Sequence, residues 1–385
     1  MNYYDKSLDL HRKNKGKMET CSKVPITSKE DLSVLYTPGV AQPCLEIKNN
    51  PENAYLYTPK GRTIAVVSDG SAVLGLGNIG GLASIPVMEG KCLLFKEFGG
   101  VDAFPVCLDT QDVDEIVKTI KNIAPIFGGI NLEDFSAPRC FEIERRLIEE
   151  MDIPVFHDDQ HGTAIVVSAA VINAYKLLRK PLEAVKAVIC GAGAAGNAIA
   201  KMLKLLGIGD IVICDSKGIV SKKRDDLGKD KMELAELTNG EGLEGSLKDA
   251  IKGKDLFIGV SGPNVIGYED VKKMNKNPVV FALSNPEPEI MPYLAYEGGA
   301  AVIGTGRSDF PNQINNVLVF PGIFRGALKA KATRITESMK IAAAYALAGT
   351  VDEKDLNKEY ILPDPLNKIV ADAVSKAVIE AWENR

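Results

Sequence analysis

No stretch of this sequence offers the ~18 consecutive uncharged apolar residues that a membrane-spanning helix needs. Its start, MNYYDKSLDLHRKNKGKMET, carries a charge every few positions and lacks the apolar core of a secretory signal. Basic charge is not in excess either. The 46 Lys and Arg stand against 51 Asp and Glu, a formal net charge of −5, which argues against a nucleic-acid binder that works by phosphate neutralisation. The seven cysteines (Cys21, Cys44, Cys92, Cys107, Cys140, Cys190, Cys214) are scattered and form no CxxC pair, so reduced thiols are expected rather than a disulfide framework. There is no internal repeat and no low-complexity tract. What remains is a cytoplasmic globular protein with neither membrane nor nucleic acid among its partners. With 385 residues, 45% of them hydrophobic, the chain is long enough for two domains with a core each.

The pattern from Thr163 onward alternates short apolar runs with helical stretches: TAIVVSAAVINAYKLL, then AVKAVIC, AAGNAIAKMLKLLG, DIVICD, DLFIGV, NPVVFAL and AAVIGT. Strands alternating with helices predict crossover units and a parallel sheet covered on both faces. The first 160 residues have strand candidates of their own, TIAVVSD, VDAFPVCL and PVFHDD, separated by helical segments around 112–123 and 137–151. After Asn315 the chain reads as mostly helical. The expected fold class is therefore α/β in two domains. Residues 1–160 form an N-terminal α/β domain, and residues 161–385 form a Rossmann-type, doubly wound nucleotide-binding domain that ends in helices.

The strand AVKAVIC runs directly into Gly191, Ala192, Gly193, Ala194, Ala195 and Gly196, and then into a helical pattern. In such a turn the first glycine permits a tight bend, the second lets the backbone approach a pyrophosphate, and the third lets helix and strand pack closely. The next strand ends in Asp215, where a carboxylate can accept from ribose hydroxyls and favours NAD over NADP. Lys217, Lys222, Lys223 and Arg224 follow. They are either a solvated run or a means of neutralising a 2′-phosphate, so dual use of NAD and NADP stays open.

Acids stand where strands of the first half should end: Glu133 and Asp134 in GINLEDF, Asp158 and Asp159 in PVFHDDQHGT. Such acids must be solvated, paired or bound to a cation. Oxygen donors without cysteine suit Mg²⁺ or Mn²⁺; helix capping by Asp159 or plain surface exposure are the alternatives. His157 and His161 have the i, i+4 spacing of a zinc pair. Gly162 and the strand-like PVF argue for a turn there, and for histidines that support the structure. Tyr36 precedes a Pro-Gly turn, and Lys91 sits in GKCLLFK, where apolar surroundings and a nearby cation can lower an amine's pKa into a useful range.

Taken together and in order, LYTPGVA, SDGSAVLGLGNIG, GKCLLFK, INLEDF, HDDQHGTA, GAGAAG, SNPEPE and NNVLVFPG resemble the malic enzymes, in the form of the small prokaryotic-type subunit. The resemblance runs from residue 35 to residue 322, nearly the whole chain. It implies oxidative decarboxylation of L-malate to pyruvate and CO₂ with reduction of NAD or NADP, dependent on Mg²⁺ or Mn²⁺, by a homodimer. Carried over position by position, it makes Tyr36 the general acid and Lys91 the general base. Glu133, Asp134 and Asp159 become metal ligands supported by Asp158, and Asn285, Asn315 and Asn316 hold the substrate and the nicotinamide side. A malolactic enzyme or oxaloacetate decarboxylase on the same scaffold, or a non-catalytic nucleotide-binding relative, are the other readings. One departure is Ala72, where the larger members of the family carry a carboxylate-binding arginine; Arg62, Arg139 and Arg307 are open candidates for that task.

Overall fold

The computed structural model describes residues 2–73 and 75–385. Met1, at the head of the charged N-terminal segment, and Leu74, inside the Asp69–Gly75 motif, lie outside the described residues. Two parallel sheets organise the chain. The first contains β1 (Thr63–Ser68), β2 (Asp102–Cys107), β3 (Gly129–Leu132) and β4 (Val155–His157), in the order β2-β1-β3-β4. β1 lies inside it, and Ile64, Ala65, Val66 and Val67 are completely buried. Its near-continuous apolar reading follows from helices covering both faces.

The second sheet contains β5 (Lys186–Cys190), β6 (Asp210–Asp215), β7 (Gly218–Ile219), β8 (Leu256–Gly259), β9 (Val279–Ala282) and β10 (Val302–Thr305). Their order is β10-β9-β8-β5-β6-β7, with β7 added antiparallel to β6 as a short edge. From β5 the chain winds outward to β6 and β7, then returns to β8 on the other side. That reversal leaves a crevice at the carboxyl ends of β5 and β8, the place where open α/β sheets bind ligands.

The helix Asp158–Leu178 joins the two halves. It is long and apolar enough to cross a membrane by composition alone, but 67% of its apolar window is buried inside the protein, where it packs on the helices Ala194–Leu205 and Glu337–Ala348. It is thus a core helix. The turn expected across HDDQHGT is instead its first turn, directly after β4. Gly162 is accommodated within the helix for a steric reason: a Cβ there would fall 1.8 Å from Asp158 Oδ1. By contrast, the N-terminal helices Tyr3–Asn14, Lys29–Leu35 and Ala41–Asn49 bury no residue at all.

Candidate active site

Lys91 lies near the end of the helix Gly80–Leu94 and is almost fully buried. Its Nζ is 2.7 Å from Glu133 Oε1 and 2.6 Å from Asp158 Oδ2, and it stands 4.2 Å above the centre of the Phe320 ring. Glu133 and Asp134 follow β3 directly. Asp134 adopts a left-handed φ of 57°, and its amide donates to Asp159 Oδ2 at 2.7 Å. Asn131 Nδ2 donates to Glu133 Oε2 at 2.9 Å. The result is that Glu133, Asp134 and Asp159 each present an oxygen within 4.8 Å of the others. An all-oxygen, all-carboxylate donor set of this size fits a hard divalent cation such as Mg²⁺ or Mn²⁺.

The electrostatics make the same point. Burial pushes Asp134 up to about 9, with the carboxylates of Asp159 and Glu133 adding to the effect. Burial also outweighs the attraction of Lys91 to lift Glu133 and Asp158 to about 7 each. Three buried acids and the partly exposed Asp159 around one ammonium are short of positive charge, which is the situation a bound cation relieves. Lys91 itself departs from the expectation of a lowered pKa. Burial works to lower it, but Asp158 and Glu133, both within 2.7 Å, outweigh burial and raise it.

Behind the acids lies a buried polar chain. Glu144 accepts from the His157 amide at 2.9 Å and from Gln160 Nε2 at 3.1 Å. His161 Nε2 is 3.0 Å from the same carboxylate, and His161 Nδ1 is 3.1 Å from Lys340 Nζ. Burial holds His157 down to about 4. Burial would raise Glu144, but His161 and His157 outweigh it and hold the carboxylate near 2. His161 thus meets Glu144 through its ring, whereas His157 meets it through its amide and places its ring 2.9 Å from Gln160 Nε2 and 3.4 Å from Asp159 Oδ2, at the start of the Asp158–Leu178 helix. No local sequence signal marks Glu144 or Lys340, because their partners are far away along the chain.

A cavity of about 430 Å³ opens in front of the acids. Asp134, Asp159, Asn285, Asn315 and Asn316 line it, and Ala72 is on its wall. Asn316 Nδ2 donates to Asp158 Oδ2 at 2.5 Å, and Asn315 Oδ1 accepts from the Val317 amide at 2.9 Å. Two of the three amides are thus partly committed to holding the site. None of the arginine candidates lines this cavity. Arg62 pairs with Asp102, Arg139 with Asp69, and Arg307 with Asp309. Tyr36 stands apart, 67% exposed at the end of the Lys29–Leu35 helix.

A second cavity, about 950 Å³, is lined by Gly191, Ala192 and Gly193 on one side and by Asp215, Lys217 and Lys231 on the other. Pro138 and Phe141 of the first half also reach it. Gly191 has φ 119°, and a Cβ there would meet Val260 O at 2.5 Å; at Gly196 it would meet Gly191 O at 1.8 Å. At Gly193 it would meet nothing within 4 Å, so the backbone is open to the cavity. The helix Ala194–Leu205 starts there, and its free amides and positive end suit a pyrophosphate. Ala194 and Ala195 line the smaller cavity as well, so this helix start touches both. Those features fit a dinucleotide.

Comparison with known proteins agrees with this geometry. The family described as "Malic enzyme, N-terminal domain" matches residues 15–148, and "Malic enzyme, NAD binding domain" matches residues 160–382. The chain is 56% identical to the bifunctional malic/malolactic enzyme of Bacillus subtilis over 99% of its own length and 93% of that protein's. It is 48% identical to the NADP-dependent malic enzyme of Halomonas elongata, over 97% and 92% respectively. Among solved structures, the NAD-dependent malic enzyme of Thermotoga maritima superposes with a TM-score of 0.94 at 49% identity, over 97% of this chain and 98% of that one. With both domains matched and the acids, lysine and glycine turn gathered at their junction, the chain belongs to the malic enzyme family.

Proposed function

We propose that this enzyme oxidatively decarboxylates L-malate to pyruvate and CO₂ with reduction of NAD(P)⁺, using Mg²⁺ or Mn²⁺ held by Glu133, Asp134 and Asp159. The observation that carries the reading is the position of Lys91 Nζ, within 2.7 Å of both Glu133 and Asp158, in a cluster of acids of which Asp134 and Asp159 line a cavity with Asn285 and the start of the glycine-turn helix. A divalent cation held there would supply Lewis-acid stabilisation of a developing oxyanion, and a dinucleotide in the larger cavity would supply the hydride acceptor. Lys91 Nζ, after passing its own proton to the Asp158 carboxylate 2.6 Å away, takes the proton of the C2 hydroxyl. Asp158, fixed by Asn316, orients Lys91, and Asn285 and Asn315 bind the substrate carboxylates. Tyr36 Oη returns a proton to C3 of enolpyruvate. The proposed division of labour places acid–base and metal chemistry in residues 1–160 and nucleotide binding in 161–385, in a cytoplasmic protein.

Tyr36 can play this part only if something brings it to a site. The arm that carries it exposes Tyr3, Leu8, Ile26, Val34 and Leu56, and a second copy of the chain is the occupant that would cover these residues and receive the tyrosine. Mixing Lys91→Ala with Tyr36→Phe tests this. Hybrid dimers would regain activity at one site, whereas two permanently inactive partners would count against exchange.

Absorbance at 340 nm on adding L-malate, with NAD⁺ or NADP⁺ and with or without Mn²⁺, tests the reaction itself. Net NADH or NADPH that depends on Mn²⁺ supports it. Lactate formed without net reduced nucleotide would favour the malolactic reading, which the name of the Bacillus subtilis relative keeps in view.

A further inference from the structure

The acidic turn that follows β9 holds a carboxylate for which the metal and acid–base chemistry has no use. Glu289 is completely buried. Its Oε1 accepts from the Ser261 amide at 2.9 Å, and its Oε2 accepts from the Ser284 amide at 3.0 Å. Burial raises its pKa, and these amides oppose the rise. Gly259, the last residue of β8, makes the space for it, since a Cβ there would fall 2.4 Å from Glu289 Cδ. The main chain beside it is fixed as well: Pro288 O accepts from the Asn264 amide at 3.1 Å, and Glu289 O from the Ile266 amide at 3.3 Å. One side chain thus ties the loop after β8 to the loop after β9, at the carboxyl edge of the sheet.

The two tied loops stand where a dinucleotide has to cross. Ala137 and Ser261 line both the 950 Å³ and the 430 Å³ cavity, and Ser284 and Asn285 line the smaller one together with Asp134 and Asp159. A dinucleotide whose pyrophosphate rests on the glycine turn reaches a substrate at the acids only by passing its nicotinamide end from the larger cavity into the smaller, beside Ser261. In a trans peptide the carbonyl points away from the N–H, so anchoring the amides of Ser261 and Ser284 also sets the carbonyls of Val260 and Leu283. Both carbonyls face a glycine: a Cβ on Gly191 would meet Val260 O at 2.5 Å, and one on Gly306 would meet Leu283 O at 2.8 Å and Asn285 Nδ2 at 2.7 Å. We propose that Glu289 is the positioning residue for the nicotinamide end of the site. Its single carboxylate holds Ser261, Ser284 and Asn285 where they receive the nicotinamide riboside, and it acts through these residues without lining either cavity itself. The inference rests on the proposed reading of the enzyme as dinucleotide-dependent.

A carboxylate that only stabilised the domain would make the same contacts, so the test compares two ligands that differ at the nicotinamide end alone. NADH and ADP-ribose, which lacks the nicotinamide, are titrated by calorimetry against the wild type, Glu289→Gln and Glu289→Asp. In Glu289→Gln an NH₂ replaces one oxygen and faces an amide donor, so one loop loses its acceptor. NADH affinity should fall by about tenfold or more, the scale of a buried amide left without a partner, while ADP-ribose stays within about threefold of the wild type. Glu289→Asp keeps both oxygens on a shorter stem, and its loss should be smaller but again confined to NADH. That variant carries the comparison by itself if Glu289→Gln does not fold. Equal losses for NADH and ADP-ribose, or NADH affinity unchanged in folded Glu289→Gln, would overturn the positioning role. A wild type that binds neither ligand would overturn the dinucleotide reading beneath it.

Discussion

Asp158 and Asp215 both stand at the carboxyl end of a parallel strand, and their surroundings drive them in opposite directions. Asp158, fully buried beside Lys91 and near three other acids, is pushed up to about 7 by burial that the lysine does not overcome. At Asp215 burial works in the same direction, but Arg224, Lys231 and the Lys217 amide outweigh it and bring the carboxylate down to about 2. The first sheet concentrates uncompensated negative charge in a dry place, which favours a metal. The second surrounds one acid with cations at the rim of a cavity, which favours an anionic ligand. The same topology thus yields two kinds of site, according to whether the partners of the acid are other acids or bases.

Four substitutions or conditions would break or sharpen that contrast. Lys91→Ala removes the one cation that, among the described residues, pairs with Asp158 and Glu133, and should lower turnover of malate and of oxaloacetate by about 10²–10⁴-fold, with NADH binding preserved. Undiminished oxaloacetate decarboxylation would remove the lysine from the chemistry. Gly162→Ala places a methyl group 1.8 Å from Asp158 Oδ1. The carboxylate must shift, which disturbs the contacts of its Oδ2 with Lys91 and Asn316, and kcat should fall by about 10²-fold, the scale of a displacement near 1 Å. Gly196→Ala makes the complementary change in the second site, 1.8 Å from a backbone carbonyl. The expected result is NADH affinity roughly tenfold weaker, from strain of about 1–3 kcal/mol, with Mn²⁺ binding intact by electron paramagnetic resonance. Loss of Mn²⁺ binding in that variant would mean that the two sites are not separable.

The smallest effect is thermal. Without a metal, folded-state values of about 9 for Asp134 and about 7 for Glu133 and Asp158 lie above those of the unfolded chain. Between pH ~4 and these values the folded protein binds more protons than the unfolded one, so this contribution to stability is lost as pH rises. Mn²⁺ takes the place of those protons, so the gain in Tm on adding it should grow from pH 5.5 to 8.5. At the pH where the added Mn²⁺ reaches a hundredfold excess over its Kd, the stabilisation is about 2.7 kcal/mol. Thermal scans at several pH values check the trend, and a gain independent of pH would contradict it.

Much of this arrangement was legible in advance. Apolar runs marked β1, β2, β4, β5, β6, β8, β9 and β10, because buried parallel strands leave a hydrophobic record, and Gly191, Gly193 and Gly196 declared their turn; the short antiparallel β7 left none. The acids of GINLEDF and HDDQHGT announced a charge problem at strand ends. The start of the Asp158–Leu178 helix was less legible: Gly162 looks like a breaker unless it is known that Asp158 fills the space beside it. Glu144, Lys340 and Lys231 were not legible, since each gains its meaning from a partner on another element.

Local order, periodicity and the residue types suited to metal and nucleotide are properties of neighbouring positions, and the sequence alone determined them. Charge state is not local. Which acids share Lys91, why that lysine is held protonated rather than neutral, and whether Asp215 faces a ribose free or already occupied depend on distances between residues far apart in the chain. Coulombic and desolvation energies vary with those distances and with burial, and only the tertiary structure decides either.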